Sequence, residues 1–394
     1  MRPITVLVIG GGYAGVMAAD RLTQHPDVAV TLINPRPDFV ERIRLHQLAG
    51  GTHAARVGYR EVLAERVRLV VDRVERIDAP GRSVTLSGGD TLDYDHLVYA
   101  VGSVGSVPDV PGGELVHPLA GLEEAQRLRA ALDAAPATAP VTVVGAGPTG
   151  IETAAELAEA GSAVTLVCGG VLGPYLHPRG RRAVAARLGA LGVTVLEEPT
   201  VTAVTPATVR LDGGRALPSA VTIWTAGFGV PDLAVRSGLH TDAAGRLLTD
   251  ETLTSVDDDR IVAAGDAAAP SGLPLRMSCQ AAIPLGARAA DTLLSRIAGE
   301  EPAALHEVFA GQCLSLGRRA GMFQFARRDD VAVPVHLGGR PGAALKEYIC
   351  RGIVSSLTAE ATQAGSYRLH RVPGGPARRR ALEARAAATT VAGV

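Results

Sequence analysis

Short apolar runs alternate with amphipathic stretches along most of the chain, and this pattern is typical of an α/β protein. The run ITVLVI at residues 4–9 predicts a strand, the following segment is amphipathic to Leu22, and VAVTLIN predicts a second strand ending at Asn34. The same order returns from residue 141, where VTVV, a helical segment and AVTLVC follow one another, the last ending at Cys168. The sequence therefore predicts two strand–helix–strand units with parallel strands.

The segments between and after these units predict smaller β structures. Short β-branched runs separated by Gly and Asp turns indicate β-meanders at residues 68–99 and 193–226, and a Gly/Pro-rich linker lies at 103–113. RIVAAGDAA predicts a strand, and a helix follows it with Pro284 in its first turns. The predicted domains are the first part of one α/β domain at 1–112, a second α/β domain at 113–240, the rest of the first at 241–304, a small C-terminal domain at 305–372 and a poorly ordered tail at 373–394.

Composition excludes several classes of protein. A chain of 394 residues with 47% hydrophobic and 20% charged residues is folded, with more than one core. A net charge of −1 and the lack of a basic stripe argue against nucleic acid as a partner. No apolar run is long enough to predict a membrane span, and the glycines near the N-terminus fit a strand–turn–helix better than a signal peptide, so we expect a cytoplasmic protein.

Two residue types are used in unusual ways. Lys346 is the only lysine in an Ala-, Gly- and Arg-rich chain, which indicates a GC-rich bacterial coding bias. The four cysteines, at 168, 279, 313 and 350, form neither a C-x-x-C motif nor a metal-ligand spacing. We therefore predict no metal site and no redox disulfide formed within one loop.

Each predicted unit carries a G-x-G-x-x-G turn between its first strand and its helix. Such a turn lets backbone approach a pyrophosphate, and the helix N-terminus supplies N–H groups and partial positive charge. Glycines also occur in tight turns simply because these need positive φ, but two copies in the same context predict two dinucleotide sites. One site with a decayed copy is the alternative. The glycines are Gly10, Gly12 and Gly15 in the first unit and Gly145, Gly147 and Gly150 in the second.

The ordered motifs resemble those of the two-dinucleotide-binding-domain flavoproteins, the pyridine nucleotide oxidoreductases. VIGGGYAGVMAADRL, YAVGS, the second glycine motif, WTAGF and VAAGDAA occur in that order, and the resemblance covers residues 1 to about 360. Within the superfamily the chain is most similar to type II NADH dehydrogenases and apoptosis-inducing-factor-like NAD(P)H:quinone reductases. The resemblance implies two Rossmann-like FAD- and NAD(P)-binding domains with inserted β-meanders, and a small C-terminal α+β domain that covers the flavin and could form a homodimer.

The resemblance assigns FAD to the first site. Asn34 stands where an acidic residue commonly meets the ribose, and its amide oxygen can still accept a hydroxyl hydrogen bond. Asp266 matches the aspartate that holds the ribityl chain, although alone it would serve equally well as a turn residue. The residues implied in FAD binding are Gly10, Gly12, Tyr13, Ala14, Gly15, Asn34, Arg44, Val74, Ala100, Val101, Gly102, Gly265 and Asp266.

The second site then takes NADH, with NADPH as the alternative. An acid at the position of Cys168 would bind the ribose hydroxyls and repel a 2′-phosphate, whereas a thiol does neither well. We therefore expect weak, poorly discriminating use of NADH, unless Cys168 simply ends a buried strand. The residues implied at this site are Gly145, Gly147, Gly150, Cys168 and Gly227.

Three residues are implied in catalysis beside the flavin. Glu152 matches a glutamate implicated in proton handling, or it is a first-turn acid that favours the helix dipole. Lys346 matches a lysine near the flavin, and a site that needs an amine would resist replacement by Arg; chance survival is the alternative. Gln280 matches the first glutamine of the family's quinone-path motif A-Q-x-A-x-Q, but Pro284 replaces the second.

Two further segments, residues 39–47 and 344–357, combine polar and apolar side chains. In FVERIRLHQ, residues 39–47, His46 is a candidate acid–base group, although we favour a solvated helix face. Residues 344–357 predict a packed surface helix rather than a membrane helix. The apolar face of this helix comprises Leu345, Ile349, Ile353 and Leu357.

The sequence thus predicts an FAD-dependent oxidoreductase that passes hydride from NAD(P)H through flavin to a quinone or similar aromatic acceptor. One alternative is a tailoring oxidoreductase of an aromatic natural product with a weak or vestigial NAD(P)H site. Another is a flavoprotein whose redox state controls binding to a partner. Peripheral membrane contact is left open but is not favoured.

Overall fold

The computed structural model describes residues 2–305, 309–369, 378 and 380–383, so most of the tail predicted from Pro373 lies outside the described residues. Single turns of 3₁₀-helix occur at Arg42–Arg44, Gly113–Leu115, Asp212–Gly214 and Gly265–Ala267. The α-helices are α1 (Tyr13–Leu22), α2 (Leu45–Ala49), α3 (Tyr59–Val62), α4 (Leu122–Ala134), α5 (Pro148–Glu159), α6 (Pro178–Ala190), α7 (Leu233–Arg236), α8 (Cys279–Ile297) and α9 (Gly339–Thr362).

The first domain is built on a five-stranded parallel sheet with helices against it. The predicted first unit is confirmed, since Ile4–Ile9 and Val28–Asn34 pair in parallel with α1 between them in sequence. Helix α8 lies directly on α1: a Cβ built on Gly286 would come 2.2 Å from the Ala14 carbonyl oxygen. The strands lie in the order Ile261–Ala263, His96–Tyr99, Ile4–Ile9, Val28–Asn34 and Arg68–Val71.

The second domain repeats this plan. Its predicted unit is confirmed, but the strand that was expected to end at Cys168 ends one residue earlier, at Val167. Helix α5 follows the central strand and packs against the sheet. The parallel strands lie in the order His117–Pro118, Val221–Trp224, Pro140–Val144, Ala163–Val167 and Thr194–Leu196.

Each domain carries an inserted three-stranded antiparallel meander. The residue ranges predicted for the meanders were too long, because the first and the last strand in each range belong to a parallel sheet. Burial on both faces of a parallel sheet and on one face of a meander gives similar short β-branched runs, so sequence alone did not separate them. The meander strands are Val74–Asp78, Ser83–Leu86 and Thr91–Asp93 in the first domain, and Val201–Val204, Thr208–Leu211 and Ala216–Pro218 in the second.

The chain crosses between the two domains twice, and the crossing segments pair. Val104–Gly105, in the predicted linker, forms an antiparallel pair with Phe228–Gly229. Beyond this pair, α7 and Leu239 join the hydrophobic core of the first domain. We therefore propose that the chain returns to the first domain nearer residue 230 than 240, while the other predicted domain bounds stay predictions. Two further short pairs complete the β structure: Asp38–Val40 with Arg56–Gly58, and Leu247–Thr249 with Ala268–Pro270.

The C-terminal domain combines an antiparallel sheet with the long helix α9. Its strands are Gly311–Ser315, Gly321–Ala326 and Ala332–Gly338. Of the apolar face predicted for α9, Leu357 is buried, whereas Leu345, Ile349 and Ile353 are only partly buried. Lys346 and Cys350 are buried on the same helix, and Tyr348 is 75% exposed. Among the described residues, no helix combines the length and the hydropathy needed to cross a membrane.

The segment around His46 is buried, so the favoured solvated face was wrong. Arg44, His46 and Gln47 are each at most 3% exposed, because α2 packs against α4 and α5. The buried charge of Arg44 is balanced by ion pairs with Glu41 and Glu347. The polar residues of this segment indicated exposure to solvent. In the fold, Arg44 and His46 instead meet Glu347 and Glu152, which lie far away in the sequence.

Asp20 is a buried carboxyl group within the core of the first domain. Its Oδ1 accepts a hydrogen bond from the Ala64 N–H at 2.8 Å, and its Oδ2 has no partner among the described residues. Burial raises the pKa of Asp20 to about 8. The folded protein therefore holds this group protonated at neutral pH, while the unfolded chain ionises it.

We expect Asp20→Asn to stabilise the protein at alkaline pH. The raised pKa means that Asp20 favours folding less and less as pH rises from about 4 to about 8, whereas Asn does not titrate. The midpoint of thermal unfolding should exceed that of the wild type by on the order of 5 °C at pH 8 and match it near pH 4. Asp27→Asn, at an exposed position, is the control and should change neither midpoint. Equal midpoints at pH 8 for Asp20→Asn and wild type would contradict the assignment.

Candidate active site

A cavity of about 880 Å³ lies where the two glycine-rich turns, α8 and α9 meet. Its lining includes residues that follow the carboxyl ends of strands in both parallel sheets, among them Gly12, Ser103, Asp266 and Thr149. Crevices at the carboxyl ends of parallel strands are where α/β sheets bind their ligands. The cavity is therefore the candidate site.

The first glycine-rich turn is shaped to admit a ligand at its middle glycine. Gly10 has φ +101°, and a Cβ there would lie 2.3 Å from the Ala100 carbonyl oxygen. A Cβ on Gly15 would lie 1.8 Å from the Gly10 carbonyl oxygen. At Gly12, by contrast, a Cβ would meet no atom within 4 Å. Packing of the protein itself thus accounts for the outer two glycines, and the open space at Gly12 fits the approach of a pyrophosphate.

The second turn repeats this division of roles. Gly145 has φ +128°, and a Cβ there would lie 2.5 Å from Thr225 Oγ1. A Cβ on Gly150 would lie 2.0 Å from the Gly145 carbonyl oxygen. Gly147 again has no atom within 4 Å of its built Cβ. Helices α1 and α5 begin after the middle glycines with no side-chain cap, so their first N–H groups are available to an anion. Both sites fit a dinucleotide.

Asn34 holds the first turn in place. Its Oδ1 accepts a hydrogen bond from the Gly11 N–H at 3.0 Å, and its Nδ2 donates to the Arg36 carbonyl at 2.9 Å. The Tyr59 hydroxyl donates to the Gly11 carbonyl at 2.8 Å. The contact with ribose expected for Asn34 stays a prediction, and the structure adds a role in shaping the turn.

Asp266 lies in a polar chain on the cavity wall. The Ser103 hydroxyl donates to its Oδ2 at 2.6 Å, and Arg42 Nη1 donates to Ser103 Oγ at 3.0 Å. Arg42 lines the cavity, whereas Arg44 is absent from its lining and is bound by Glu41, Gln47 and Glu347. Arg42 is therefore better placed than Arg44 for the cofactor contact expected of Arg44, and that contact stays a prediction. The sequence offered no signal to separate the two.

Glu152 and Lys346 form a buried ion pair at the cavity wall, and their catalytic roles stay predictions. Lys346 Nζ lies 2.9 Å from Glu152 Oε1, which also accepts a hydrogen bond from the Ser315 N–H at 2.9 Å. Despite burial, the positive charge of Lys346 lowers the pKa of Glu152 below its usual range, and Glu152 raises the pKa of Lys346 above its own. The pair is therefore ionised at neutral pH.

His46 completes this cluster from the first domain. Its Nδ1 lies 3.5 Å from Glu152 Oε2, and its Nε2 has no hydrogen-bond partner among the described residues. Burial, and secondarily the neighbouring Lys346, lowers the pKa of His46 to about 4, although Glu152 opposes the shift. The imidazole is therefore neutral near pH 7, and Lys346 carries the positive charge of the cluster.

Gln280 and Pro284 lie in the first turns of α8 and both line the cavity. With its amide oriented to satisfy both neighbours, Gln280 donates to the Gly311 carbonyl and accepts from the Ala310 N–H, each at 3.0 Å. Gln280 thus joins α8 to the C-terminal domain.

Three cysteines that are far apart in sequence converge around Lys346. Cys279 and Cys313 line the cavity, and Cys350 lies one turn beyond Lys346 on α9. Burial raises the pKa of Cys279 to about 12 and that of Cys350 to about 11, and it also raises the pKa of Cys313. The thiols are therefore protonated near neutral pH, which disfavours them as nucleophiles.

Several implied cofactor residues lie outside the lining of this cavity. Val74 is buried in the first meander, and Val101 and Gly227 lie beside lining residues, Gly227 against Ser106 with φ +79°. Cys168 comes directly after the carboxyl end of the strand Ala163–Val167, and burial raises the pKa of its thiol to about 12. Contacts of these residues with a cofactor stay predictions.

The wall formed by the C-terminal domain, together with residues 276 and 277 before α8, is mostly apolar, and sequence reasoning missed much of it. Arg276 stacks on Phe309 at 5.0 Å from the ring centroid and is paired with Asp330. The rings of Phe323 and Phe325 meet edge to face at 4.9 Å. No motif carries these positions, which only the tertiary fold brings together. The apolar lining residues here are Met277, Phe309, Phe323, Phe325, Leu345, Ile349 and Ile353.

The amino-acid sequence matches one protein family and is similar to several named proteins. Residues 4–286 match the family described as pyridine nucleotide-disulphide oxidoreductase. An NADH dehydrogenase-like protein of Mycobacterium tuberculosis is 31% identical over 350 residues, covering 81% of this chain and 87% of that protein. The type II NADH:quinone oxidoreductase Ndh of the same species is 30% identical, covering 76% and 74%.

Solved structures share the fold at low sequence identity. NDH2 of Plasmodium falciparum, in complex with NADH, superposes with a TM-score of 0.76 at 15% identity, covering 93% of this chain and 99% of that chain. The sulfide:quinone oxidoreductase of Aquifex aeolicus gives 0.75 at 20% identity, covering 91% and 92%. At such identities the likeness establishes the fold alone.

We expect Gly12→Ala to lose flavin while it keeps the fold. Gly12 has φ −83°, which Ala adopts freely, and its Cβ would meet no protein atom, so only an approaching ligand would be obstructed. The affinity for FAD, titrated by flavin fluorescence, should fall at least about tenfold with an unchanged circular dichroism spectrum. Gly189→Ala, in α6 with similar open space, is the control. Wild-type flavin affinity in Gly12→Ala would show that no pyrophosphate approaches this turn.

Proposed function

Because the chain belongs to the pyridine nucleotide-disulphide oxidoreductase family, we propose that it transfers two electrons from NADH through FAD to a quinone-type acceptor. Membership confirms the predicted fold class and the predicted use of FAD and NAD(P)H by an oxidoreductase. FAD held at the first turn would take up hydride from the nicotinamide and release electrons to the acceptor. The observation that carries the choice of acceptor is the cavity in which both turns meet an apolar wall.

The charges around the cavity favour an uncharged acceptor. All five charged side chains in its lining lie close to an opposite charge. Arg42 lies 3.8 Å from Asp266, Glu152 pairs with Lys346, and Arg276 pairs with Asp330 outside the lining. An anionic or cationic acceptor would lose its hydration without gaining an unmatched partner. A neutral planar molecule such as a quinone gains apolar contacts with the phenylalanines instead.

The ion pair supplies charge where reduction of an acceptor would develop it. Lys346 is held protonated by Glu152 and bears N–H donors at the cavity wall. A fixed cation in a water-poor site stabilises the negative charge that electron transfer places on a carbonyl oxygen. Glu152 orients Lys346, and the Ser315 N–H in turn holds Glu152.

The relatives support the same acceptor class. Two proteins similar to this chain are named as reductases of quinones, the Mycobacterium tuberculosis oxidoreductase described above and a demethylphylloquinone reductase of Synechocystis. The alternative of a tailoring oxidoreductase gains no support from them.

The proposed function is tested by separating the two half-reactions. Anaerobic mixing with NADH in a stopped-flow instrument should bleach the flavin within the time of one catalytic turnover. A soluble ubiquinone or menaquinone analogue should then restore the colour of the flavin at a comparable rate. Failure of NADH and NADPH to bleach the flavin would refute the donor. Bleaching without reoxidation by either quinone would refute the acceptor.

We expect Lys346→Met to impair reoxidation by quinone selectively. The variant should bind FAD and be reduced by NADH, but the rate of quinone reduction should fall about 100-fold, because a developing negative charge loses its cation. The unpaired Glu152 will lower thermal stability. The double variant Glu152→Gln/Lys346→Met removes both charges and keeps an acceptor for the Ser315 N–H, so its stability should recover while its rate does not. Recovery of both quantities would make the pair purely structural.

A further inference from the structure

A carboxylate stands beside Cys168, one strand away from the position where an acid was expected. The strand Thr194–Leu196 pairs in parallel with Ala163–Val167, with Val167 opposite Leu196. The Cys168 N–H donates to the Leu196 carbonyl at 2.8 Å, which continues the register past the end of the strand. Glu197 therefore leaves the same carboxyl edge of the sheet as Cys168.

Glu197 also shapes the loop that follows Cys168. Its carbonyl accepts a hydrogen bond from the Gly170 N–H at 2.6 Å, and its Oε1 accepts one from the Leu172 N–H at 2.8 Å. Gly169, Gly170 and Gly173 all have positive φ in this loop. Glu197 raises the pKa of the Cys168 thiol in addition to the effect of burial, as expected of a nearby negative charge.

We propose that Glu197 takes the place of the missing acid and recognises the adenosine ribose of NADH. Among the described residues its Oε2 accepts no hydrogen bond, and its side chain is exposed at the edge of the sheet. A carboxylate there can accept from a ribose hydroxyl and repels a 2′-phosphate. The inference rests on the proposed function, because it assigns NADH to the second glycine-rich turn.

The basic residues that follow Cys168 in the sequence are also placed as expected for a site that prefers NADH to NADPH. A site for NADPH needs a cation near the 2′-phosphate, commonly an arginine close after the strand. Here the loop after Cys168 carries no basic residue before His177, and the arginines that follow belong to α6. The first turn of α6 packs against the C-terminal sheet, where a Cβ on Gly180 would lie 2.3 Å from Gln324 Oε1. The consequence is discriminating use of NADH, in contrast to the poor discrimination expected from Cys168 alone.

The test compares Glu197→Gln with Glu198→Gln in the FAD-loaded protein. Gln at 197 keeps an oxygen for the Leu172 N–H and removes only the charge, whereas Glu198 is an exposed neighbour. Calorimetric titration with NAD⁺ and NADP⁺ measures binding without turnover. We expect Glu197→Gln to weaken NAD⁺ about tenfold and to strengthen NADP⁺, so that their ratio changes by more than tenfold. Glu198→Gln should match the wild type.

Stopped-flow reduction by NADH on the same samples separates the inference from the proposed function. A limiting rate of flavin reduction that is unchanged in Glu197→Gln, with a raised apparent Kd for NADH, supports a binding role. Identical affinities in both variants would overturn the inference and leave the proposed function intact. A charge-dependent change in NAD⁺ binding without any flavin reduction in the wild type would uphold the inference and refute the function. Equal weakening of NAD⁺ and NADP⁺ in Glu197→Gln would reduce Glu197 to a scaffold of the loop and overturn its role in recognition.

Discussion

The buried ion pair between Glu152 and Lys346 is the constraint around which the site is arranged, because the cluster it forms brings all three domains together at one buried point. Glu152 belongs to α5 of the second domain, Lys346 and Ser315 to the C-terminal domain, and His46 to the first. Removing one partner of a buried ion pair typically costs about 3–5 kcal/mol, whereas the intact pair contributes little net stability. Selection for folding alone would not favour such a pair over apolar residues, and its position at the cavity wall agrees with the chemical role proposed for it.

The two glycine-rich turns also separate residues that packing requires from a residue that only a ligand would explain. In each turn the outer glycines are required because backbone or side-chain atoms of the protein come within 2.5 Å of a built Cβ, and the middle glycine alone faces open space. A duplicated unit has thus kept one geometrical solution for two different nucleotides. The differences lie at the edges, where Asn34 binds backbone of the first turn and Glu197 binds the loop beside the second.

The sequence predicted the two repeated units and the helices that became α8 and α9, because these follow from local periodicity and from motifs with fixed spacing. Glu152 and Lys346 were singled out by the resemblance to a known family, and the structure adds that they pair. It could not predict which of Arg42 and Arg44 faces the cavity, since a single 3₁₀ turn decides their directions. It placed His46 in solvent because its partners are more than 100 residues away. Phe309, Phe323 and Arg276 lacked any motif, and Glu197 became visible only when strand pairing set it beside Cys168.

The first domain is interrupted by the second, and this has a consequence for the order in which the protein can fold during synthesis. The strand Ile261–Ala263 and helix α8, which complete the first sheet and cover α1, are translated only after the whole second domain. The second domain is continuous between its paired crossing segments, so its parallel sheet can form while the first still exposes one face of α1 and one sheet edge. Once the second sheet has left the ribosome and before Ile261–Ala263 and α8 have followed, the nascent chain would therefore present a complete parallel sheet beside an incomplete one, and the incomplete one is the part that needs protection from aggregation.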